Sequence, residues 1–562
     1  MWLVVSAVRV STNLSSAQSA LTSARDDLID RRVPRAEADI ARAAKHTAAA
    51  RSASHGVLWR AAAHVPVLGR SFRTVSVVAT SADQLTHVTL PKALAAARGI
   101  DPATLRRADG TVDVSVLQAL RPDLAGVIAS AGSVRAQAAG SPHSLLLPFI
   151  GGLRSDFLAS TDRIVSAARG ADRAVAMAGP LLGTDRPRRY FVAVQQNAES
   201  RGTGGLIGGY AVIQAKGGRI SVIQQGSDRD LYGDERSVNA PAGLPAGFAS
   251  AYGPYSVFGS WQNINLPPQL PAVAQLIAAK WKARTGKAID GVIALDGIAL
   301  QDLLTGTPPL RIGDKDVPTT KLASYLSLGQ YEPIALDPAG TSQRKDDLEA
   351  VAGQVLTRVT QTGAGSDGLI RGLVQALRSG HLRMASDDPA LKGPLHVAGV
   401  DGAAPSGPAP VAYPVLFNAQ GSKLDQWLER SVAWTCGSGG TTTASVTMHL
   451  DLPPFPLPAY VGLDLRQNPK VVQTRTDFVH LDLIVTKGAE LVKATIDGKP
   501  VPKDQLTHAV VGGLPMWGMD LDLPERKNRT FALVLRGAGK GHVRMPEQPL
   551  GLPLVKEGSG GC

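Results

Sequence analysis

Apolar residues recur at three- and four-residue steps through the first third of the chain. Leu14, Ala17, Leu21, Ala24 and Leu28 mark one face of a helix. Pro34 stands where a second helix can begin, and Ala36, Ile40, Ala43, Ala44 and Ala48 carry its stripe. A stripe made mostly of alanine allows close approach but buries little area, so this helix needs neighbours. Val65-Pro-Val-Leu-Gly69 punctuates the pattern before another helix, and Asp113–Ala138 and Leu153–Ala178 supply two more. The periodicity predicts a helical bundle over residues 11–182.

From Arg189 the pattern changes to short apolar or alternating runs with glycine turns. Phe191–Val194, Ala211–Gln214 and Ile220–Ile223 read as strands, with Gly217-Gly218 as a hairpin signal. Pro271–Lys282 and Ile298–Leu304 read as helices around a β-rich run, Ile289–Leu295. Leu322–Leu328 and Lys345–Thr360 read as helical again. Mixed strands and helices predict a central α/β layered domain over 183–400. Asp401–Pro410 is rich in Gly, Ala and Pro, and 401–430 reads as a linker with a connecting helix. Ser445–Leu450, Phe478–Val485, Leu491–Ile496, Trp517–Leu523 and Phe531–Leu535 predict a β-sandwich over 431–562. The fold class expected is multidomain α+β.

A chain of 562 residues is too long for a single core, and 44% hydrophobic with 19% charged residues describes a folded protein. The net charge of +12 is uneven: residues 1–190 hold 24 lysines and arginines against 14 aspartates and glutamates. A basic segment suits an anionic membrane surface or nucleic acid. No basic cluster interleaved with aromatics and no nucleic-acid motif accompanies it, so a membrane partner is favoured and nucleic acid is not expected. Met1-Trp-Leu-Val-Val-Ser-Ala-Val8 is apolar but far short of the ~20 residues that span a bilayer. It reads as the outer end of a membrane anchor, placed at 1–10, with a short apolar start of a protein without an anchor as the alternative. Cys436 and Cys562 are the only cysteines; they form no metal or redox motif and leave one disulfide open in an oxidising compartment.

The candidate chemistry lies in three polar knots. The first, Asn197-Ala-Glu-Ser-Arg-Gly-Thr-Gly-Gly205, places Asn197, Glu199 and Arg201 beside glycines that include Gly204 and Gly205. It reads as a flexible turn between two strands and a polar site at the mouth of a sheet. The second is Ser227-Asp-Arg-Asp-Leu-Tyr232. Asp228, Arg229 and Asp230 follow a strand directly, where open sheets bind ligands, although a solvated turn explains such a triplet equally. Carboxylates there can hold magnesium, and guanidinium groups match phosphate oxygens. The third is Ser342-Gln-Arg-Lys-Asp-Asp347, with Arg344 at a helix start; Asn265 lies in an Asn-Ile-Asn turn. Eleven histidines are scattered with none close in sequence to the first knot, so histidine chemistry is not expected.

Arg189–Gly205, Asp290–Leu304 and Gly421-Ser-Lys-Leu-Asp-Gln-Trp-Leu428 together resemble the bacterial domain-of-unknown-function family 4012, whose members usually carry an N-terminal transmembrane helix. A fainter resemblance is to the LytR-CpsA-Psr family of extracytoplasmic enzymes. Those enzymes transfer glycopolymers from polyprenyl-pyrophosphate lipids to the cell wall. That resemblance rests on Arg229-Asp230 after a hairpin, Asn265, Ile289–Asp296 and Gln343-Arg344. It implies that Arg201, Arg229 and Arg344 bind phosphate and that Asp228 or Asp230 holds magnesium. The helix start here departs from that family, offering one arginine, one lysine and then two aspartates. Two expectations result. One is a membrane-associated transferase or binder of a lipid-linked, phosphate-bearing glycan or cell-wall polymer, with Arg201, Arg229 and Asp230 catalytic. The other is a non-catalytic envelope scaffold in which Glu199–Arg201 is a buried ion pair.

Overall fold

The computed structural model describes residues 2–29, 32–98, 105, 107, 109–331, 343, 344, 346, 350, 351, 353–355, 357, 358, 366–466, 474–558 and 560–562. The chain divides into two compact units, Met1–Gly179 and Pro180–Cys562.

The first unit is helical. Its main helices are Trp2–Ile29, Val33–Ala53, Leu68–Gln84, Leu90–Arg98, Arg121–Ala139 and Pro148–Leu181, the last running two residues into the second unit. Leu14, Ala17 and Ala24 are buried on the first helix, as the spacing requires. On the second helix the buried stripe drifts from Ala36, Ile40 and Ala43 to Thr47 and Ala50, leaving Ala48 exposed. Thr47 meets Thr86 at 2.7 Å, a small polar contact that the alanine stripe is narrow enough to admit. Among the described residues no helix is long and apolar enough to cross a membrane.

The second unit begins with β1 (Arg188–Arg201), β2 (Gly204–Lys216) and β3 (Arg219–Ser227), joined as an antiparallel meander. After the helix Leu270–Thr285, β4 (Gly291–Asp296) pairs parallel to β1. A separate hairpin, β5 (Leu310–Ile312) with β6 (Lys315–Val317), precedes β7 (Leu382–Ala385), and the five-stranded order is β3-β2-β1-β4-β7. Phe191 and Tyr210 stack at 5.5 Å, and Trp281 of the Leu270–Thr285 helix meets both edge-on. The helix at 345–360 expected from the sequence lies largely outside the described residues.

Within 401–430, residues 401–410 are irregular and Leu424–Trp427 is a short helix, but a strand lies between them. Ala412–Asn418 forms β8, every residue of which is buried, and β9 begins at Leu428. The remaining strands are β9 (Leu428–Cys436), β10 (Thr441–Leu450), β11 (Thr476–Val485), β12 (Glu490–Ile496), β13 (Lys499–Val501), β14 (Thr507–Val511), β15 (Leu514–Pro524), β16 (Asn528–Arg536) and β17 (Leu554–Glu557). They form a six-stranded sheet, β13-β12-β16-β10-β9-β17, and a four-stranded sheet, β14-β15-β11-β8.

The four-stranded sheet explains why 180–562 is one unit. Leu416 of β8 and Val479, Leu481 and Leu483 of β11 share a core with Val446 and Phe531 of the six-stranded sheet. The opposite face, with Tyr413, Val415, Phe417 and Ile484, shares the core of Phe191, Trp261 and Trp281. A strand buried on both faces reads as a continuous apolar run without alternation, and so β8 carries no strand signal beyond its composition. Cys436, at the end of β9, forms a disulfide with Cys562 beyond β17, which pairs parallel to β9.

Candidate functional site

The first polar knot is part of the sheet and not a flexible turn. β1 runs on to Arg201 and β2 starts at Gly204, with register shifts after Val194 and after Gln196. Such bulges let extra residues leave the ladder, and here Asn197, Glu199, Ser200 and Arg201 are all buried. The glycines serve backbone against backbone. A Cβ on Gly202 would strike the carbonyl oxygen of Leu266, and one on Gly205 would strike that of Gln196. Gly204 lies against the Gln195 side chain and Pro549.

Glu199 lies between two cations. Its Oε1 accepts from Arg201 Nη2 at 3.1 Å and its Oε2 accepts from Lys423 Nζ, and each of the three side chains is only 8% exposed. Burial alone would raise the Glu199 pKa, but the Lys423 and Arg201 charges outweigh it and hold the carboxylate below its usual range. Burial would lower Lys423; the Glu199 charge prevails and raises it. The remaining Arg201 donors reach the carbonyls of Ser200 (2.8 Å), Gln262 (3.1 Å) and Asn418 (3.3 Å). Gln548 closes the set by donating to the carbonyls of Arg201 and Leu416. These bonds tie the end of β1 to the end of β8 and to the loop that follows it.

Two further clusters adjoin. Ser200 N donates to Asp425, and the Asn418 amide donates to Asp425, Ser422 and Asp477. Burial, with the Asp425 charge beside it, pushes the Asp477 carboxyl well above its ordinary value. Asp296, at the end of β4, caps the helix Gly297–Leu304 through Oδ1. Its Oδ2 accepts from Asn197 at 2.8 Å and meets His381 Nδ1 at 2.5 Å. A histidine does therefore reach the first knot, across a sequence gap that no local pattern could bridge. Lys423 and Asp425 lie in the Gly421–Leu428 motif; Asn418, Asp477 and Gln548 carry no sequence signal.

Asn265 donates to Thr203 Oγ1 and to the carbonyl of Gly205, and so braces the turn between β1 and β2. The second knot touches this network through Tyr232, which donates to the carbonyl of Ile207 and feels the Glu199 and Arg201 charges, while its charged residues are engaged elsewhere. Asp230 forms a capping box with Ser227 at the start of the helix Asp228–Tyr232. Arg229 pairs with Asp346 at 2.9 Å, both well exposed. Arg344 lies over the Tyr331 and Tyr460 rings and donates to Gln330. Ser342, Lys345 and Asp347 of the third knot fall outside the described residues. Magnesium fits the second knot poorly, because the Asp230 carboxylate is engaged in capping. Among the described residues no three His, Cys, Asp or Glu side chains are grouped to hold a metal. An open depression of about 810 Å³ borders Asp230, Asp234, Glu235, Arg236 and Arg284. It is remote in character from the first knot, and Asp234 in it is already held by Arg236.

Fold and site together describe a protein with a helical unit and a layered sheet unit, the latter fastened by a buried polar junction. Residues 185–331 match the family model described as "Protein of unknown function (DUF4012)". That match takes in β1 to β6 and so the Asn197–Gly205 knot, while Lys423 and Asp425 lie beyond it. No curated protein and no solved structure matches the chain.

Proposed function

We propose that this is a membrane-associated, extracytoplasmic scaffold of the cell envelope that handles a glycopolymer by binding rather than by catalysis. In this reading the C-terminal sheets form a β-sandwich that supports the α/β layer. The observation that carries it is the burial of Glu199 between Arg201 and Lys423, which commits the most reactive-looking residues of the chain to architecture. A phosphate ligand would have to displace bonds that hold β1 to β8. The test is Arg201→Ala in the full chain. The scaffold reading expects a lowered melting temperature. A variant that melts like the wild type yet no longer binds polyprenyl pyrophosphate would overturn it.

A second reading keeps a transferase related to the LytR-CpsA-Psr enzymes. It is favoured by the bond from Arg229 to Asp346, which links the second knot to the segment that carries Arg344. Titration of polyprenyl pyrophosphate into the full chain, with and without magnesium, tests it. Saturable binding that Arg229→Ala abolishes at unchanged melting temperature supports this reading, and its absence favours the scaffold.

A further inference from the structure

One end of the helical unit presents apolar side chains outward. The first two helices pair as a hairpin, with His46 Nδ1 3.0 Å from Asn13 Oδ1, so the end of the second helix lies beside the first turns of the first. Ser76 donates to the carbonyl of Ser54, Arg70 to Ser144, and Leu147 N to Ser71. These bonds gather the corners at 54–71 and 141–150 at that same end. Val10, Trp59 and Ile150 form the core beneath. Val57, Leu58, Val67, Leu68, Leu145 and Phe149 lie outside it, Leu145 being 67% and Phe149 65% exposed.

Two features separate this surface from incidental exposure. Val67 and Leu145 hold positive φ angles of 64° and 56°, a backbone region that non-glycine residues rarely adopt. Both residues carry exposed apolar side chains, Val67 at 59% and Leu145 at 67%. The charge around the patch is also of one sign. Residues 1–25, 40–82 and 124–155 contain no aspartate or glutamate. Arg9, Arg60 and Arg73 are exposed at this end, and among the described residues none of them pairs with a carboxylate.

Apolar side chains rimmed by arginines match the boundary between acyl chains and anionic headgroups. We infer that this end of the helical unit docks on an anionic lipid bilayer, with Leu145 and Phe149 inserting and Arg9, Arg60 and Arg73 facing the headgroups. The inference deepens the membrane-associated part of the reading above by naming the surface and the lipid charge.

Co-sedimentation of the full chain with vesicles tests it. The wild type binds vesicles of phosphatidylglycerol and phosphatidylcholine and binds phosphatidylcholine alone at least about tenfold less. Leu145→Glu/Phe149→Glu, both on exposed positions, lowers binding at least about tenfold with the melting temperature unchanged. Arg60→Glu lowers it severalfold and serves as the second variant. Equal binding by both variants overturns the docking surface while leaving membrane association standing. No binding by the wild type overturns the inference without touching the Arg201 test. A self-associated wild type that Leu145→Glu/Phe149→Glu renders monomeric overturns it in favour of a second copy of the chain.

Discussion

The knots at Asn197–Gly205 and Ser227–Tyr232 each set an arginine beside a carboxylate, and the fold treats those charged residues oppositely. In the first, Glu199 and Arg201 are buried and completed by Lys423, more than two hundred residues further along the chain. In the second, Arg229 and its partner Asp346 are exposed and Asp230 caps the start of a short helix. Acidic and basic side chains near glycine announce polarity but not its use. Burial decides that use, because a charge removed from water must be compensated by fixed partners.

Breaking the two knots separates them by stability. Glu199→Ala leaves two buried cations without their counter-ion and is expected to cost about 3–5 kcal/mol in urea unfolding. A smaller effect comes from His480 of β11, whose ring meets Asp520 at 2.7 Å and Asp482 at 3.3 Å. Burial would lower its pKa, but the two carboxylates outweigh this and raise it from 6.5 to about 9. The folded value lies above the unfolded one. The contribution, about 3 kcal/mol, is therefore fully present below pH 6.5 and lost as pH rises through 9. Unfolding curves of the wild type and His480→Gln should converge above that window. Cys562→Ser opens the bridge to Cys436 and is expected to cost about 2–4 kcal/mol relative to the oxidised wild type, and the reduced wild type should match the variant. Arg229→Ala, at the exposed knot, should change stability by less than about 1 kcal/mol.

Much of the architecture was legible because it is periodic. Leu14, Ala17 and Ala24 mark the first helix, and the alternation in β10 and β16 marks two strands of the six-stranded sheet. β8 was hidden because Ala412–Asn418 is buried on both faces and follows a Gly/Pro-rich stretch that reads as a linker. For the junction, sequence supplies Asn197, Glu199 and Arg201 and the Glu199–Arg201 pair, but not their distant partners. Lys423, Asn418 and Gln548 arrive through the fold, and His381 meets Asp296 across 85 residues. The glycines read from sequence as a flexible turn; that Gly202 and Gly205 lie against the backbone of Leu266 and Gln196 is visible only in three dimensions.

The central claim is that Glu199 and Lys423 act together to fasten the sheets. A double-mutant cycle of Glu199→Gln and Lys423→Met, followed by urea unfolding, measures that directly. The account predicts a coupling energy of about 1–3 kcal/mol, with the double variant more stable than the single losses sum to. Additivity within about 0.5 kcal/mol would contradict it and return the knot to the list of ligand sites.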